Sequence, residues 1–319
     1  MNLNRLKKLS GDASFRIFFR KKYKKKFLII IFCKKEKYSN LLIYDAINKI
    51  LNNHRIKAPK LISQNYKKNY IEIEDFGDLT VFKNLNNCKI KKFFYFKKII
   101  KLLIKLQKIK ITTAKTFLNS NYKIPFYSNS KLINETKLFL EWYLPKFIKD
   151  KDKNIVKKKL MKIFKNLLSK LIYKKKVFVH RDFHVSNIMI TKNGLGLIDS
   201  QDAVYGNIAY DLASLIDDVR LRTNKNLKNK IFNEFVKINK SLDKDKFKND
   251  FEILSVLRNF KIIGIFSRLS KRDKKHKYLK FIPYAWKLIE NRFNNNRKFN
   301  DLKIIIDKNF PKKIRNYEN

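Results

Sequence analysis

The chain has 319 residues, with 76 Lys and Arg against 27 Asp and Glu, so its formal net charge near neutral pH is +49. Hydrophobic residues make up 44% and aromatic residues 14%, enough for a folded core, which excludes an intrinsically disordered chain. Six Gly and five Pro exclude a collagen-like protein, and two Cys are too few for a disulfide framework or a four-ligand zinc site.

The excess lysine is spread over the chain in short clusters such as Lys24–Lys26, Lys157–Lys159 and Lys174–Lys176. Nucleic-acid footprints tend to be clustered on one face or helix, so this spread favours solvated lysines over a specific nucleic-acid partner. The longest apolar run, Phe27–Cys33, is far shorter than the roughly 20 residues that a membrane span needs, and no signal-like segment follows Met1–Arg5. We expect a cytoplasmic protein with no membrane anchor and no obligate protein partner.

Strand-like patterns dominate the first 78 residues. Four short segments are rich in β-branched and aromatic residues, and one segment between them has apolar residues at helical spacing. Strands are predicted at 15–20, 27–32, 58–62 and 70–74, and a helix at 38–52. A break is expected at Glu74–Asp78, directly after the last strand.

Helical spacing begins near residue 91 and dominates the rest of the chain. The apolar residues of 91–109 recur at the three- and four-residue intervals of an amphipathic helix, and only a stretch near 177–199 has strand character. The order predicts a small β-rich lobe at 1–78 and a larger helical lobe at 79–319. This arrangement is typical of an α+β fold with segregated layers and not of a repeating βαβ fold.

Chemistry-bearing residues concentrate between Val177 and Asp199. A short apolar strand is predicted at 177–179, and it delivers His180-Arg181-Asp182 to its end. Two further short strands are predicted at 188–190 and 195–198. The segment therefore consists of three strand pieces with polar residues at their junctions.

Asn193-Gly194 predicts a two-residue hairpin turn between the last two strands, because a type I′ turn needs positive φ at both central residues. Such a hairpin returns Asn187 and Asp199 to the same open end, on neighbouring strands about 5 Å apart. Asp182 lies in the loop that leads into this hairpin. Oxygen ligands of this kind suit a hard cation such as Mg²⁺, which takes the rest of its shell from water and substrate phosphates.

His-Arg-Asp, a following Asn and then an Asp after a hairpin form the spacing of the kinase catalytic loop. The pattern predicts that Asp182 orients the attacking hydroxyl and accepts its proton, that Asp199 is the principal Mg²⁺ ligand, and that Asn187 is the second metal contact. His180 is expected to support the loop. The alternative is a turn-rich segment in which Asp and Asn merely cap turns.

A helix is predicted to begin at Ala209-Tyr210-Asp211, because apolar residues follow at helical spacing. Asp211 falls in the first turn of this helix. Its carboxylate is expected either to cap the helix or to accept backbone N–H groups from the catalytic loop and so hold Asp182 in place.

The segment His180–Val219 resembles the aminoglycoside phosphotransferase and choline kinase family, whose members share a two-lobe protein-kinase-like fold. Three outer motifs are similar to those of the bacterial cell-wall amino-sugar kinases, which phosphorylate the anomeric hydroxyl of N-acetylmuramate and N-acetylglucosamine. These motifs are Ser10–Arg16, Glu74–Asp78 and Ile263–Leu269. The resemblance extends over about residues 5–290.

The resemblance implies ATP and Mg²⁺ as cofactors, and Gly11 and Ser14 in the turn that covers the phosphates. It implies backbone hydrogen bonds from the Glu74–Phe76 segment, with Glu74 and Phe76 at its ends, to adenine. The basic residue that contacts the phosphates is left open between Arg16, Arg20 and Lys34, with Glu36 as a residue that could orient one of them.

The resemblance also implies a small-molecule acceptor, an amino sugar in cell-wall sugar recycling. Asp202, Trp142 and Arg268 are the candidate acceptor contacts, with Arg258 and Arg272 as further cations. The alternatives are a core or rim position for Trp142 and a surface ion pair with Asp273 for Arg268. At the level of function, the alternatives are a kinase of another small alcohol (an aminoglycoside, choline or a homoserine-like compound) and a non-catalytic kinase-like binding module.

The chain departs from the family pattern at two positions. Ser200 follows the metal-binding aspartate where the family usually has Phe, and Lys274 replaces a Gly after Arg272-Asp273. The first departure predicts different local packing beside Asp199.

Overall fold

The computed structural model describes residues 6–9, 16–34, 39–87, 92–293 and 296–316. The chain divides into two compact units. The first unit comprises Met1–Pro125 and Val177–Val204, and the second comprises Phe126–Lys176 and Tyr205–Asn319. The lobe boundary at residue 78 stays a prediction.

An antiparallel sheet of five strands forms the first part of the first unit. Its strands are β1 (Lys7–Leu9), β2 (Arg16–Tyr23), β3 (Lys26–Cys33), β4 (Leu61–Asn65) and β5 (Tyr70–Glu74). The spatial order is β1-β2-β3-β5-β4, with helix α1 (Asn40–Asn53) inserted in the chain between β3 and β4. The strands predicted at 27–32 and 70–74 are confirmed, as are the described parts of the strand predicted at 15–20 and of the helix predicted at 38–52. Phe15 and Tyr38 lie outside the described residues. The strand predicted at 58–62 begins only at Leu61, after a proline that cannot donate to a ladder.

One face of this sheet packs against α1. Because side chains alternate across a strand, the residues of β2, β3 and β5 that lie opposite each other in register share a face. The buried residues that pack together between this face and α1 include Ile31, Cys33, Leu41, Tyr44, Ile71 and Ile73. Arg16 pairs in register with Cys33 and Phe18 with Ile31, so the Arg16 side chain lies on the α1 face.

The remaining elements of the first unit lead to the strand pieces predicted at 177–199. They are α2 (Val81–Asn87), α3 (Lys92–Gln107), β6 (Thr113–Lys115), β7 (Asn121–Lys123), β8 (Lys176–Val179), β9 (Ile188–Thr191) and β10 (Gly194–Leu197). The helix predicted at 91–109 is confirmed from Lys92 to Gln107, with Lys91 outside the described residues, and the three strand pieces are confirmed. The hairpin turn is displaced by one residue: Gly194 pairs with Thr191, so Lys192 and Asn193 form the loop, and of Asn193 and Gly194 only Gly194 has positive φ.

Helices dominate the second unit, as predicted. They are α4 (Asn129–Leu138), α5 (Asp150–Ser169), α6 (Tyr210–Ile216), α7 (Lys225–Ile238), α8 (Lys244–Asp273), α9 (Ile282–Phe293), α10 (Asn300–Asn309) and α11 (Lys312–Arg315), with β11 at Val204–Asn207. Buried aromatic side chains pack around the middle of α8, among them Phe139, Phe260 and Trp286. The small antiparallel sheet and the helical majority confirm the α+β class. None of the described helices combines the length and apolarity needed to cross a membrane.

Gly264 lies where α8 crosses the chain at the end of α4. A Cβ atom at this position would come within 2.3 Å of the backbone C of Leu138 and of the backbone N of Phe139. The neighbours are backbone atoms, which cannot rotate away. The glycine of the Ile263–Leu269 motif therefore permits a close contact between helix α8 and the backbone at 138–139.

Gly264→Ala is expected to destabilise the protein by about 1–3 kcal/mol, the usual cost of forcing an extra methyl into a filled interior. Urea denaturation followed by circular dichroism measures this difference. Ser267→Ala is the matched control, because it lies on the same helix and removes only a buried hydroxyl that has no hydrogen-bond partner in the described part of the chain. Equal stability of Gly264→Ala and wild type would show that the crossing relaxes without cost.

Candidate active site

Two hydrogen bonds hold the loop after β8 and the open end of the β9–β10 hairpin together. The side-chain Nδ2 of Asn187 donates to the backbone carbonyl of Asp182 at 3.0 Å. The backbone N–H of Ile198 donates to the carbonyl of Asn187 at 3.1 Å, which places Asp199 next to this end of the hairpin. The structure therefore brings Asp182, Asn187 and Asp199 together in the first unit, at the place where the sequence predicted them.

The bond from Asn187 also sets the orientation of its amide. Since Nδ2 faces the Asp182 carbonyl, the Oδ1 atom of Asn187 faces the other way and is the atom that can contact a cation. Asp182 and Asn187 are both half-buried, so the loop is fixed by its surroundings while its side chains keep access to solvent.

Asp199 of this cluster and Arg181, which directly precedes Asp182, have left-handed backbone conformations. Arg181 has φ of 74° and Asp199 has φ of 63°. Such a conformation costs a non-glycine residue roughly 1–3 kcal/mol and persists where the surrounding structure enforces it, often at active sites.

The Asp199 carboxylate is held by two side chains. Its Oδ1 accepts a hydrogen bond from Nη2 of Arg16 at 2.6 Å and one from Nε2 of Gln201 at 3.2 Å. Gln201 also donates to Oδ2 of Asp202 at 2.9 Å, and Nη1 of Arg181 lies 3.5 Å from the other Asp202 oxygen. The Asp199 side chain retains 36% of its exposure, so a ligand can still approach it.

His180 is fully buried beneath this cluster, with its ring edge-on to Phe183. Burial lowers the pKa of His180, although the negative charges of Asp182, Asp199 and Asp202 act to raise it. The ring is therefore neutral near pH 7. This state agrees with the supporting role predicted for His180.

The segment predicted to contact adenine lies at the end of β5. The backbone N–H of Glu74 is already bonded to the carbonyl of Lys60 at 2.9 Å, so this donor is used within the sheet. The Phe76 ring lies against β10, where a Cβ on Gly196 would approach its Cε2 atom to 2.7 Å. Phe76 thus fixes the segment after β5 against the hairpin that carries Asn187 and Asp199.

Arg20, one of the cations predicted for the phosphates, is bound to this same segment. Its guanidinium pairs with Asp75 at 2.6 Å and with Asp78 at 2.8 Å, and these contacts raise the pKa of Arg20. Lys34, the third candidate, is exposed just after β3. The predicted residues Gly11, Ser14 and Glu36 lie outside the described residues.

The predicted acceptor residues fall in different parts of the chain. Asp202 is exposed in the first unit. Trp142 is half-buried in the second unit, on a π-helical turn at Phe139–Tyr143, and Arg268 is half-buried on α8. Burial lowers the pKa of Arg268, and the charge of Glu141, the neighbour of Trp142, acts in the opposite direction.

Three further residues of this group are placed by the second unit. The Asp273 carboxylate accepts hydrogen bonds from Nε and Nη2 of Arg272, at 2.7 and 2.9 Å. The alternative from the sequence, a surface ion pair between Asp273 and Arg268, is therefore not what these bonds form. Arg258 is buried on α8. Asp211 is buried in the first turn of α6, as predicted, while its contact with the catalytic loop stays a prediction.

Two residues of α1 join the site without having been predicted. The Arg16 guanidinium lies over the Tyr44 ring at 5.9 Å, and burial raises the pKa of Tyr44 to about 12. Ser200, which replaces the usual Phe, donates from Oγ to Oδ1 of Asn48 at 2.5 Å. Tyr44 and Asn48 are one helical turn apart on a buried face of α1. Buried polar side chains need hydrogen-bond partners, so two of them at this spacing were the sequence feature that could have identified these residues.

The residues fit a magnesium ion. A carboxylate at Asp199 and an amide oxygen at Asn187 supply only part of an octahedral shell, and Mg²⁺ commonly takes the remainder from water and phosphate oxygens. In the part of the chain that the structure describes, no group of three or more His, Cys, Asp or Glu side chains could hold a metal ion. Two oxygen ligands, one from Asp199 and one from Asn187, suit a metal ion whose other ligands come from water and a phosphate-bearing molecule.

Comparison with known proteins places these features in a family. The family model described as the phosphotransferase enzyme family matches residues 5–232. An N-acetylmuramate/N-acetylglucosamine kinase of Neisseria meningitidis is 34% identical over 167 residues, which are 50% of this chain and 50% of that protein. The kinase of the same name from Pseudomonas aeruginosa is 24% identical over 287 residues, 88% of this chain and 81% of that protein. The chain thus matches about half the length of the first of these relatives and most of the second.

Two solved structures share the fold at low sequence identity. An ethanolamine kinase of Plasmodium vivax has a TM-score of 0.61 at 15% identity, over 92% of this chain and 84% of that chain. An amicoumacin kinase in complex with AMP-PNP, Ca²⁺ and Ami has a TM-score of 0.61 at 14% identity, over 90% of this chain and 89% of that chain. The predicted protein-kinase-like fold is confirmed.

Proposed function

Because the chain belongs to the phosphotransferase enzyme family, we propose that it transfers the γ-phosphoryl group of ATP, with Mg²⁺, to the anomeric hydroxyl of N-acetylmuramate or N-acetylglucosamine. The proposal is carried by the hydrogen-bonded cluster of Asp182, Asn187 and Asp199 at one end of the β9–β10 hairpin. The names of the curated relatives support the choice of acceptor. An amino-sugar phosphate made in this way belongs to cell-wall sugar recycling.

Asp182 is proposed as the residue that orients the acceptor hydroxyl and takes its proton. Phosphoryl transfer asks little covalent chemistry of the protein, so a positioned carboxylate and charge neutralisation on the phosphates are the main requirements. The hydrogen bond from Asn187 holds the Asp182 backbone, and buried His180 lies beneath the loop. The carboxylate is therefore carried on a loop that has little freedom to move.

Asp199 and Asn187 are proposed to hold magnesium through Oδ atoms. When bound, magnesium neutralises charge on the phosphate oxygens. The side chain of Gln201 donates hydrogen bonds to both Asp199 and Asp202. It therefore connects the carboxylate proposed for the metal, Asp199, with the carboxylate proposed for the acceptor, Asp202. This arrangement would couple the position of the nucleotide to that of the sugar.

Nucleotide and acceptor contacts complete the proposal. Gly11 and Ser14 are proposed for the phosphates, and the segment from Glu74 to Phe76 for adenine. Asp202, Trp142 and Arg268 are proposed for the sugar. An arginine fork can hold a carboxylate through two parallel hydrogen bonds, which suits Arg268 to the lactyl group of a muramic acid.

Phosphorus NMR of the purified protein with Mg·ATP and a panel of sugars and amino alcohols tests the acceptor. We expect an anomeric phosphate doublet with N-acetylmuramate or N-acetylglucosamine and no product with choline or an aminoglycoside. Product only from choline, an aminoglycoside or a homoserine-like alcohol would contradict the acceptor. No phosphate transfer to any acceptor would favour the non-catalytic binding module.

A further inference from the structure

Apart from Lys26 at its exposed first position, strand β3 has no basic residue of the kind that protein kinases use to contact nucleotide phosphates. In those enzymes a lysine on the third strand contacts the phosphates and pairs with a glutamate of the following helix. Here residues 27–33 of β3 are all apolar or cysteine, and Lys26 stands exposed at the turn. The acidic residue of α1, Asp45, pairs with Lys49 of its own helix at 2.6 Å. The site must obtain its positive charge elsewhere.

Arg16 occupies a suitable position on the neighbouring strand. It is the first residue of β2, directly after residues 10–15, and it pairs in register with Cys33 at the end of β3. Its side chain is only 5% exposed, and its guanidinium lies 5.7 Å from the Phe18 ring centre and 5.9 Å from that of Tyr44. The two rings restrict the arginine to the face of the sheet that α1 covers.

The other cations of β2 either form ion pairs with carboxylates or are exposed to solvent. Arg20 is paired with Asp75 and Asp78, and Lys21 is paired with Glu72 at 2.9 Å. Lys22 is exposed on the same strand. Among the described residues of β2 and β3, Arg16 is the cation that reaches Asp199, the proposed metal ligand, at 2.6 Å.

We propose that Arg16 contacts the phosphates of the bound nucleotide in place of the absent β3 lysine. The inference rests on the proposed function, since it concerns the same nucleotide site. A guanidinium has five N–H donors in a rigid fork, so it can donate to a phosphate oxygen while one nitrogen stays on Asp199. The Arg16–Asp199 pair thus keeps a buried positive charge partnered before the nucleotide arrives, because an unpaired buried charge is costly.

The test is calorimetric titration of ADP and of adenosine into wild type and Arg16→Met, with EDTA present. We expect the variant to bind ADP about 10–100-fold more weakly, the range for loss of hydrogen bonds to charged groups, and adenosine with unchanged affinity. Lys22→Met is the matched control, since it removes one charge from an exposed position of the same strand, and its ADP affinity should equal that of wild type.

Arg16→Gln gives a second reading that does not depend on how well the methionine variant folds. Glutamine keeps a donor for Asp199 but carries no charge, so we expect the same loss of ADP affinity. A loss that appears only when Mg²⁺ is present would show that Arg16 acts through Asp199 and would overturn the proposal. An equal loss for adenosine would overturn it as well. If wild type binds ADP but phosphorylates no sugar, the proposed acceptor is wrong. The proposed contact of Arg16 with the phosphates is then still decided by the ADP and adenosine titrations.

Discussion

Asp182→Asn is expected to reduce the turnover number for sugar phosphorylation by about 10²–10⁴-fold, the usual contribution of a positioned proton acceptor. The amide has nearly the same shape as the carboxylate but cannot accept the hydroxyl proton as a base. The hydrogen bond from Asn187 reaches the backbone carbonyl of residue 182, so the substitution leaves that contact in place. The loss should therefore fall on turnover, while the affinity for ADP stays unchanged.

A coupled assay of ADP release and a calorimetric titration of ADP together measure the two quantities. Asp301→Asn is the matched control, because it makes the same change at an exposed carboxylate of α10 and should retain wild-type turnover. Turnover of Asp182→Asn within a factor of two of wild type would remove Asp182 from its proposed role and leave the rest of the cluster without a proton acceptor.

Local patterns were sufficient to predict several of the strands and the hairpin that brings Asn187 and Asp199 together. Alternation in 70–74 and the helical spacing of 91–109 depend on neighbouring residues only, and both elements occur where they were predicted. The convergence of Asn187 and Asp199 followed from a hairpin between them, and it survives the one-residue displacement of the turn because the strands still pair antiparallel. Short, regular elements with strong patterns are those that sequence alone determines best.

Long-range contacts explain what the sequence left open. The sequence did not rank Arg16, Arg20 and Lys34 as phosphate contacts. Residues 27–33 of β3 are all apolar or cysteine, and shifting this strand by one residue against β2 would exchange the two faces of the sheet. The register that places Arg16 beside Cys33 depends on packing against α1. Likewise, the bond between Ser200 and Asn48 joins residues 152 positions apart, and no local pattern predicts it. The π-helical turn and the three-residue β1 gave no usable signal.

Asp199→Asn is expected to lower the turnover number divided by KM on the order of 10³-fold, since a bound metal ion supplies several kcal/mol of charge stabilisation to such reactions. The amide retains an oxygen that can accept the hydrogen bond from Arg16, so the cation on β2 keeps a partner and the fold is preserved. What is lost is the negative charge that the metal requires.

Magnesium titration separates this effect from that of Asp182. In wild type and in Asp182→Asn, added Mg²⁺ should raise the affinity for ADP by the same factor, because the metal ligands are intact in both. In Asp199→Asn this increase should disappear while the affinity measured in EDTA is retained, since phosphate contacts from Arg16 do not require the metal. An unchanged magnesium dependence in Asp199→Asn would place the metal on other residues and would separate the hairpin cluster from the phosphates.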